Sequence, residues 1–197
     1  MIYTVGHSNH PLERFLALLA QHEIGTLADV RSRPASRFNP QFNRKALAAS
    51  LTERGIAYEF LGAELGARSD DPACYADGRV SYGRLAATPA FRRGLERARA
   101  LAEKSRTALM CAEHDPLDCH RNILVGWELR RGGDSIAHIL RDGTLESQEA
   151  TDARLVRRLK LDADDLFARS GSQRDLAARA HEMQGARIAY GPPTPGR

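Results

Sequence analysis

The chain has 197 residues, 42% hydrophobic and 27% charged, a composition that argues against wholesale disorder and against a fibrous repeat. No apolar run approaches the ~18 residues needed to cross a bilayer, and the first residues lack a basic segment followed by an apolar core, so we expect no membrane association. Three cysteines are too few and too odd in number for a disulfide framework, which favours the cytoplasm. The formal net charge of +4 favours anionic partners without specifying one.

Short apolar segments alternate with segments of helical spacing along most of the chain. The strands are predicted at residues 3–6, 26–31, 56–61, 107–111 and 135–140, and helices at residues 43–54 and 118–132 as well as after Pro11 and Thr88. This alternation predicts an α/β fold with a mostly parallel sheet and helices on both faces, a Rossmann-like three-layer arrangement.

Two regions depart from the alternation. Residues 62–87 are rich in Gly, Asp and Ala and are predicted to be an irregular excursion, a candidate lid. After residue 142 the pattern weakens, although residues 155–166 have helical spacing, and the Pro- and Gly-rich tail from residue 191 is expected to be disordered. We therefore predict an α/β domain at residues 1–142, which carries the function, and a partly helical extension at residues 143–197.

Polar side chains follow several of the predicted strands. Ligands of open parallel sheets bind outside the carboxyl ends of the strands, so these side chains are expected to share one pocket. The alternative is structural, with His7 capping a helix, Asp29 pairing with Arg31 or Arg33 as an anchor and Cys111 packing as a small hydrophobe. The expected catalytic residues at this edge are His7, Asp29, Cys111 and Glu113, and the expected anion-binding residues are Ser8, Arg31 and Arg33.

The segment at residues 118–121 is the second candidate feature. With Asp118 as the cap, Cys119 opens the predicted helix, where free N–H groups and the helix dipole favour a thiolate. His120 and Arg121 in the same turn suit anion binding. The alternative is a solvated first turn with Cys119 tucked inward. The spacing from Cys111 to Cys119 and His120 matches no usual structural zinc pattern, so no metal ligands are assigned, although His7, His120 and Asp29 remain geometrically possible ligands.

The loop at residues 31–45 carries five cations and no acid, with two phenylalanines interleaved. Such a mixture suits phosphate contacts and base stacking, and Arg37, Phe38, Arg44 and Lys45 are the predicted nucleic-acid contacts. The alternative is a solvated loop that its phenylalanines pin to the body of the domain.

Several of these segments form an ordered set of motifs: residues 4–9 (TVGHSN), 29–34 (DVRSRP), 39–43 (NPQFN), 109–113 (LMCAE) and 118–121 (DCHR). The set resembles the bacterial and archaeal family called domain of unknown function 488, over about residues 2–142. The resemblance implies a recurring motif set without a settled activity, so it supports the pocket and leaves the reaction open. The DVR segment is also similar to a strand motif of rhodanese-like sulfurtransferases, but the loop after Cys111 lacks their Gly-rich anion cradle, which disfavours that activity.

Three functions follow from these residues. The first is an enzyme for a phosphorylated, nucleotide-like or nucleic-acid substrate, with Cys111 or Cys119 as nucleophile or redox group, His7 or His120 as acid or base, and Arg31 and Arg121 as anion clamps. The second is a non-catalytic nucleotide- or nucleic-acid-binding module. The third is a metal-dependent hydrolase.

Overall fold

The computed structural model describes residues 1–161 and 172–192, so most of the tail predicted to be disordered and part of the helix predicted at 155–166 lie outside the described residues. The strands are β1 (Ile2–Gly6), β2 (Thr26–Asp29), β3 (Ala57–Phe60), β4 (Tyr75–Ala76), β5 (Arg79–Val80), β6 (Thr107–Cys111), β7 (Ile136–Ile139) and β8 (Leu145–Ser147). The α-helices are α1 (Leu12–Gln21), α2 (Arg44–Thr52), α3 (Gly62–Leu65), α4 (Tyr82–Ala86), α5 (Pro89–Lys104), α6 (Trp127–Arg131), α7 (Gln148–Arg158) and α8 (Gln173–Ile188).

Six strands form one sheet in the order β3-β2-β6-β1-β7-β8. All neighbouring pairs are parallel except β7 and β8, which are antiparallel. Gly6 lies beside Cys111, and Asp29 lies beside Met110 and Phe60. The prediction that these strands end at the same edge of a mostly parallel sheet is confirmed.

The core lies on both faces of this sheet, as the three-layer prediction requires. In β6, Ala108 and Met110 pack against one face with residues of α1 and α2, whereas Leu109 and Cys111 pack against the other with residues of α3, α5 and α6. A central parallel strand therefore buries every side chain, which is why β6 is continuously apolar from Ala108 to Cys111.

Residues 62–87 are not the irregular excursion that their composition predicts. They form α3, a 3₁₀ turn, the β4–β5 hairpin and α4. Side-chain caps explain two of these short elements, because Asp71 accepts from the N–H of Ala73 and Ser81 accepts from the N–H of Arg84. The Gly and Asp residues mark turns between small elements.

The helix predicted at residues 118–132 is also broken. Asp115, not Asp118, caps a 3₁₀ turn at Pro116–Asp118, after which Cys119 is extended. His120 then starts a helix whose Arg121–Gly126 segment is in π form before it continues as α6. Wide π turns inside helices are frequent at functional sites.

The chain after residue 142 adds a strand to the same sheet and forms a third apolar cluster with Leu117 and Ile123. Strand β8 forms one edge of the sheet, and α7 and α8 pack together against the 3₁₀ turn and the π segment. The Gln184 side chain of α8 donates a hydrogen bond to the carbonyl of Leu117 at 2.9 Å. Within the described ranges, no helix combines the length and apolarity needed to span a membrane.

Candidate functional site

The polar residues at the strand ends form two adjacent clusters. We call Asp29, Arg31, His7 and Tyr58 the arginine network, and Cys111, Glu113, Cys119 and His120 the thiol cluster. They touch through His120, whose Nε2 lies 3.0 Å from the carbonyl oxygen of Val30 in the segment that leaves β2.

In the arginine network, the Arg31 guanidinium makes four hydrogen bonds. It donates to both carboxylate oxygens of Asp29 at 2.9 and 2.6 Å, to the Phe42 carbonyl at 2.8 Å, and to His7 Nε2 at 3.0 Å. The Tyr58 hydroxyl donates to the same carboxylate at 2.7 Å. The structure therefore pairs Asp29 with Arg31, as the structural alternative expects, and one N–H of Arg31 has no partner among the described residues. The anion clamp predicted at Arg31, which also lines the cleft, stays a prediction.

His7 belongs to this network too. Its Nδ1–H donates to the Ser8 carbonyl at 2.8 Å, which leaves Nε2 as the acceptor for Arg31. The ring stacks on Phe42 with centroids 4.3 Å apart. Burial and the charge of Arg31 lower the pKa of His7 to about 4. With both nitrogens hydrogen-bonded and the ring neutral, His7 positions the loops, and its role as general acid or base stays a prediction.

The thiol cluster is more compact. The thiols of Cys111 and Cys119 lie 3.2 and 3.1 Å from the same Glu113 Oε2, and Cys111 Sγ lies 3.5 Å from His120 Nδ1. Both cysteines are buried, whereas Glu113 is exposed, so its carboxyl group connects the thiols with the surface. Because His120 Nε2 donates to Val30, the lone pair of Nδ1 faces the sulfur atoms.

The pKa values of the groups in the thiol cluster are shifted in opposite directions. Burial alone raises the pKa of the Cys119 thiol, but the hydrogen bond from Cys111 and the positive charge of Arg121 hold it well below its usual value. The hydrogen bond with Cys119, together with burial, raises the pKa of Cys111 well above its usual value. Burial and the neighbouring Cys119 raise the pKa of Glu113. The arrangement favours a sulfur anion at Cys119 with proton-carrying groups around it.

Two residues hold the loop that carries Glu113. Arg121 is fully buried and donates to the carbonyls of Glu113 and His114, the second at 3.0 Å, so it positions this loop. The anion clamp predicted at Arg121 stays a prediction. Gly6 lies directly beneath, and a Cβ at this position would overlap the Glu113 carbonyl oxygen. The close approach of two backbones explains the glycine.

The thiol cluster opens into a cleft of about 270 Å³. Cys111, Glu113 and His120 are among its walls, whereas His7, Asp29, Cys119 and Arg121 lie behind them in the described part of the chain. Arg33 and Arg68 form the basic part of the rim, and neither has an ion-pair partner among the residues the structure describes. The rim is thus available to an anion.

Sequence reasoning missed half of the cleft. Arg68 and Tyr82 come from residues 62–87, and Ile188 and Tyr190 from the end of α8. The Arg68 guanidinium lies 4.3 Å from the centroid of the Tyr190 ring. The glycine at position 185 is the one sequence signal of this contact. A Cβ there would lie only 3.1 Å from the Tyr82 ring, so α8 needs a glycine to approach Tyr82 this closely.

In the basic loop at residues 31–45, one phenylalanine pins the loop to the domain and the other is exposed to solvent. Phe42 is buried against His7 and Phe15 and pins the loop, whereas Phe38 is 78% exposed with the Arg37 guanidinium 4.8 Å from its ring centroid. Of the other predicted nucleic-acid contacts, Lys45 is exposed and Arg44 packs over Phe60 at 4.3 Å. Ser8, predicted to bind an anion, does not line the cleft, and its hydroxyl donates to Asn9 Oδ1 at 3.3 Å.

A larger cavity of about 750 Å³ lies between α6, α7 and α8. Its described walls, which include Trp127 and Val156, carry no thiol and no imidazole. Because reactive groups rather than volume decide where chemistry can occur, the smaller cleft is the candidate site.

A family model described as "Domain of unknown function DUF488" matches residues 11–128, more than half of the chain. The chain belongs to the DUF488 family. The matched part of this DUF488 chain begins after the TVGHSN motif and includes the DVRSRP and DCHR motifs, so it contains both β2 with Arg31 and the whole thiol cluster. No curated protein and no solved structure matches the chain.

Proposed function

We propose that this protein is an enzyme that acts on a phosphate-containing, nucleotide-like substrate bound in the cleft. The observation that carries the proposal is the convergence of two thiols, an imidazole and a carboxyl group at the floor of a cleft whose rim is basic. A purely structural cluster would not need an opening to solvent beneath two arginines that lack ion-pair partners in the described chain.

The rim supports a phosphate-containing substrate. Arg33 and Arg68 carry planar guanidinium groups that bind phosphate oxygens in pairs, and Arg68 is held in place by Tyr190. A volume of about 270 Å³ is near the lower end of small-molecule pockets, so it accepts a nucleotide or a single flipped-out or terminal nucleotide rather than a duplex.

The floor supports catalysis. Glu113 reaches from the surface to both sulfur atoms, and this position suits proton transfer between the cleft and the buried cluster. The Tyr82 phenol forms another part of the wall, and burial with the nearby Cys119, Cys111 and Glu113 raises its pKa, so it stays protonated and suits donation of a hydrogen bond.

Binding and turnover are tested separately. Calorimetric titration with inorganic phosphate and a nucleoside monophosphate should show that Arg33→Ala and Arg68→Ala each weaken binding about tenfold or more, the loss of one charge-assisted hydrogen bond. Arg106→Ala is the matched control, because Arg106 precedes β6 at the opposite edge of the sheet. Affinity that is equal in all three variants would contradict the proposed rim.

Turnover is measured by mass spectrometry on a panel of nucleotides and short single-stranded DNA and RNA. We expect Cys111→Ser and Glu113→Gln to bind the same probes and to lose turnover. If the wild-type protein binds but converts none of the panel, the non-catalytic binding module replaces the enzyme. That second function is favoured by the exposed Phe38 beneath Arg37, and Phe38→Ala should then weaken binding of single strands about tenfold.

A further inference from the structure

The thiol cluster has the donor set and spacing of a metal site. Cys111 Sγ, Cys119 Sγ and His120 Nδ1 all lie within 4.8 Å of one another, and all three residues are buried. Zinc bonds of about 2.3 Å to sulfur and about 2.0 Å to nitrogen place the sulfur and nitrogen atoms of a tetrahedral site about 3.5 Å apart. The separation between Cys111 Sγ and His120 Nδ1 is 3.5 Å.

The histidine is prepared for this role by its other nitrogen. His120 Nε2 donates to the Val30 carbonyl at 3.0 Å, so the proton is on Nε2 and the Nδ1 lone pair is directed at the sulfur atoms. Metal-binding histidines usually donate their second N–H to a carbonyl or carboxylate in this way. The carbonyl belongs to the segment after β2, so the second strand orients a ligand that the chain supplies 90 residues later.

The backbone brings the three donors together from the end of β6 and from two consecutive residues at the start of the π-containing helix. Cys111 ends β6, Cys119 is extended, and His120 begins the π-containing helix. The change from extended to helical backbone allows two consecutive side chains to face the same point, where a continuous helix would turn them about 100° apart. The three ligands therefore do not have the sequence spacing of the usual paired-ligand zinc sites.

We propose that Cys111, Cys119 and His120 bind a Zn²⁺ ion as its three protein ligands, with the fourth position open to the cleft. The inference rests on the proposed function, because it makes the ion the Lewis acid of that same site. Cys111 and His120 line the cleft, so a metal held between them faces the substrate. Both cysteines bind the ion as thiolates, so binding displaces the proton that remains on Cys111, and the two thiolates neutralise the charge of the ion.

Glu113 then has a defined task beside the metal. Its Oε2 lies within 3.2 Å of both sulfur atoms, but Glu113 is not among the donors that all lie within 4.8 Å of one another in the described chain. Glu113 therefore lies beside the three ligands, exposed to the cleft, in the position of a base. The reaction class is hydrolysis. A water molecule at the open position gives its proton to Glu113, its oxygen bonds to the electrophilic atom of the substrate, and the leaving group departs with the proton from Glu113.

The test is metal binding by the purified full-length chain. We expect one equivalent of zinc after reconstitution, and one equivalent of Co²⁺ that produces the sulfur-to-metal charge-transfer absorption of thiolate ligands together with the visible bands of a tetrahedral site. Cys111→Ser and Cys119→Ser should each lower the zinc affinity at least 100-fold in competition with a chromophoric chelator. Cys74→Ala, which removes the buried thiol outside the cluster, should keep both the stoichiometry and the spectrum.

The wild-type cobalt spectrum keeps the test decisive if the serine variants fail to fold. A spectrum without charge-transfer absorption, or a Cys111–Cys119 disulfide in place of bound metal, would overturn the zinc site. Turnover that survives exhaustive chelation and disappears on thiol alkylation would also overturn it, while leaving the proposed enzyme intact. If the zinc-loaded wild-type protein converts none of the phosphate-containing probes, the zinc site stands and the proposed function is contradicted instead.

Discussion

At the scale of single residues, the buried ion pair of Asp29 and Arg31 supports one wall of the site. Arg31 is 7% exposed and its carboxylate partner is fully buried, and the same guanidinium also binds His7 and the Phe42 carbonyl. Removing one member of such a pair leaves a buried charge without compensation.

We therefore expect Arg31→Ala to lower the free energy of unfolding by about 3–5 kcal/mol, as measured by urea denaturation. Arg33→Ala is the matched control from the same loop, and it should stay within about 0.5 kcal/mol of the wild type because Arg33 is exposed. Equal losses in the two variants would show that the arginine network does not anchor the fold.

His138 supplies a second prediction at this scale. Its Nδ1 accepts from the Thr4 hydroxyl at 2.7 Å, its Nε2–H donates to Gln148 at 3.1 Å, and burial together with the charge of Arg121 lowers its pKa to about 3. The imidazole binds a proton near pH 6.5 in the unfolded chain but only near pH 3 in the folded chain. The contribution of His138 to the free energy of unfolding is therefore fully present above about pH 6.5 and decreases as the pH falls toward 3.

Between pH 7 and pH 5 this histidine should account for about 2 kcal/mol of the loss in unfolding free energy. His138→Gln should therefore lose about that much less over the same interval, whatever its stability at pH 7. Parallel pH dependences of the two proteins in urea denaturation would contradict a neutral, buried His138.

At the scale of elements, the loop after β6 is held by a close contact with β1. A side chain at position 6 would displace the Glu113 carbonyl and with it the carboxyl group that touches both thiols. Gly6→Ala should lower the free energy of unfolding by about 1–3 kcal/mol and lower turnover, because overpacking here moves the loop.

Gly83→Ala is the control for that substitution. Gly83 lies within α4, and a Cβ there meets no atom within 4 Å. Since alanine favours helices, this variant should be as stable as the wild type or more stable by up to about 1 kcal/mol in the same urea experiment. A destabilisation as large as that of Gly6→Ala would contradict the assigned contact.

The elements themselves were predictable where a local pattern decides them. Strands β1, β2, β3, β6 and β7 are short apolar runs that end at polar residues, so their positions and their shared edge followed from the sequence. The break at Cys119 and the π segment did not, because they depend on Arg121 reaching the loop of Glu113 and on contacts with α8. The proposed zinc ligands were missed for the same reason.

At the scale of the whole molecule, the cleft is completed by the chain beyond residue 142, where the sequence predicted no function. Tyr190 follows α8 and stacks under the guanidinium of Arg68 at 4.3 Å. No local pattern connects two residues so far apart in the chain. The predicted boundary at residue 142 stays a prediction, but the proposed substrate contacts cross it.

We expect Tyr190→Ala to weaken phosphate binding about two- to fivefold, the value of one exposed cation–π contact that orients Arg68. Tyr190→Phe keeps the ring and should bind as the wild type does. Calorimetry with inorganic phosphate measures both variants, and an unchanged affinity in Tyr190→Ala would show that Arg68 acts without this support.

The central claim is that the cleft above the thiol cluster is the working site. The most direct measurement is anomalous scattering from crystals grown with Zn²⁺ and soaked in tungstate, a phosphate analogue. We predict tungstate within hydrogen-bond distance of Arg33 and Arg68, and a zinc peak between Cys111, Cys119 and His120. Tungstate bound only at the Arg37 to Lys45 surface, with no anion in the cleft, would contradict the account.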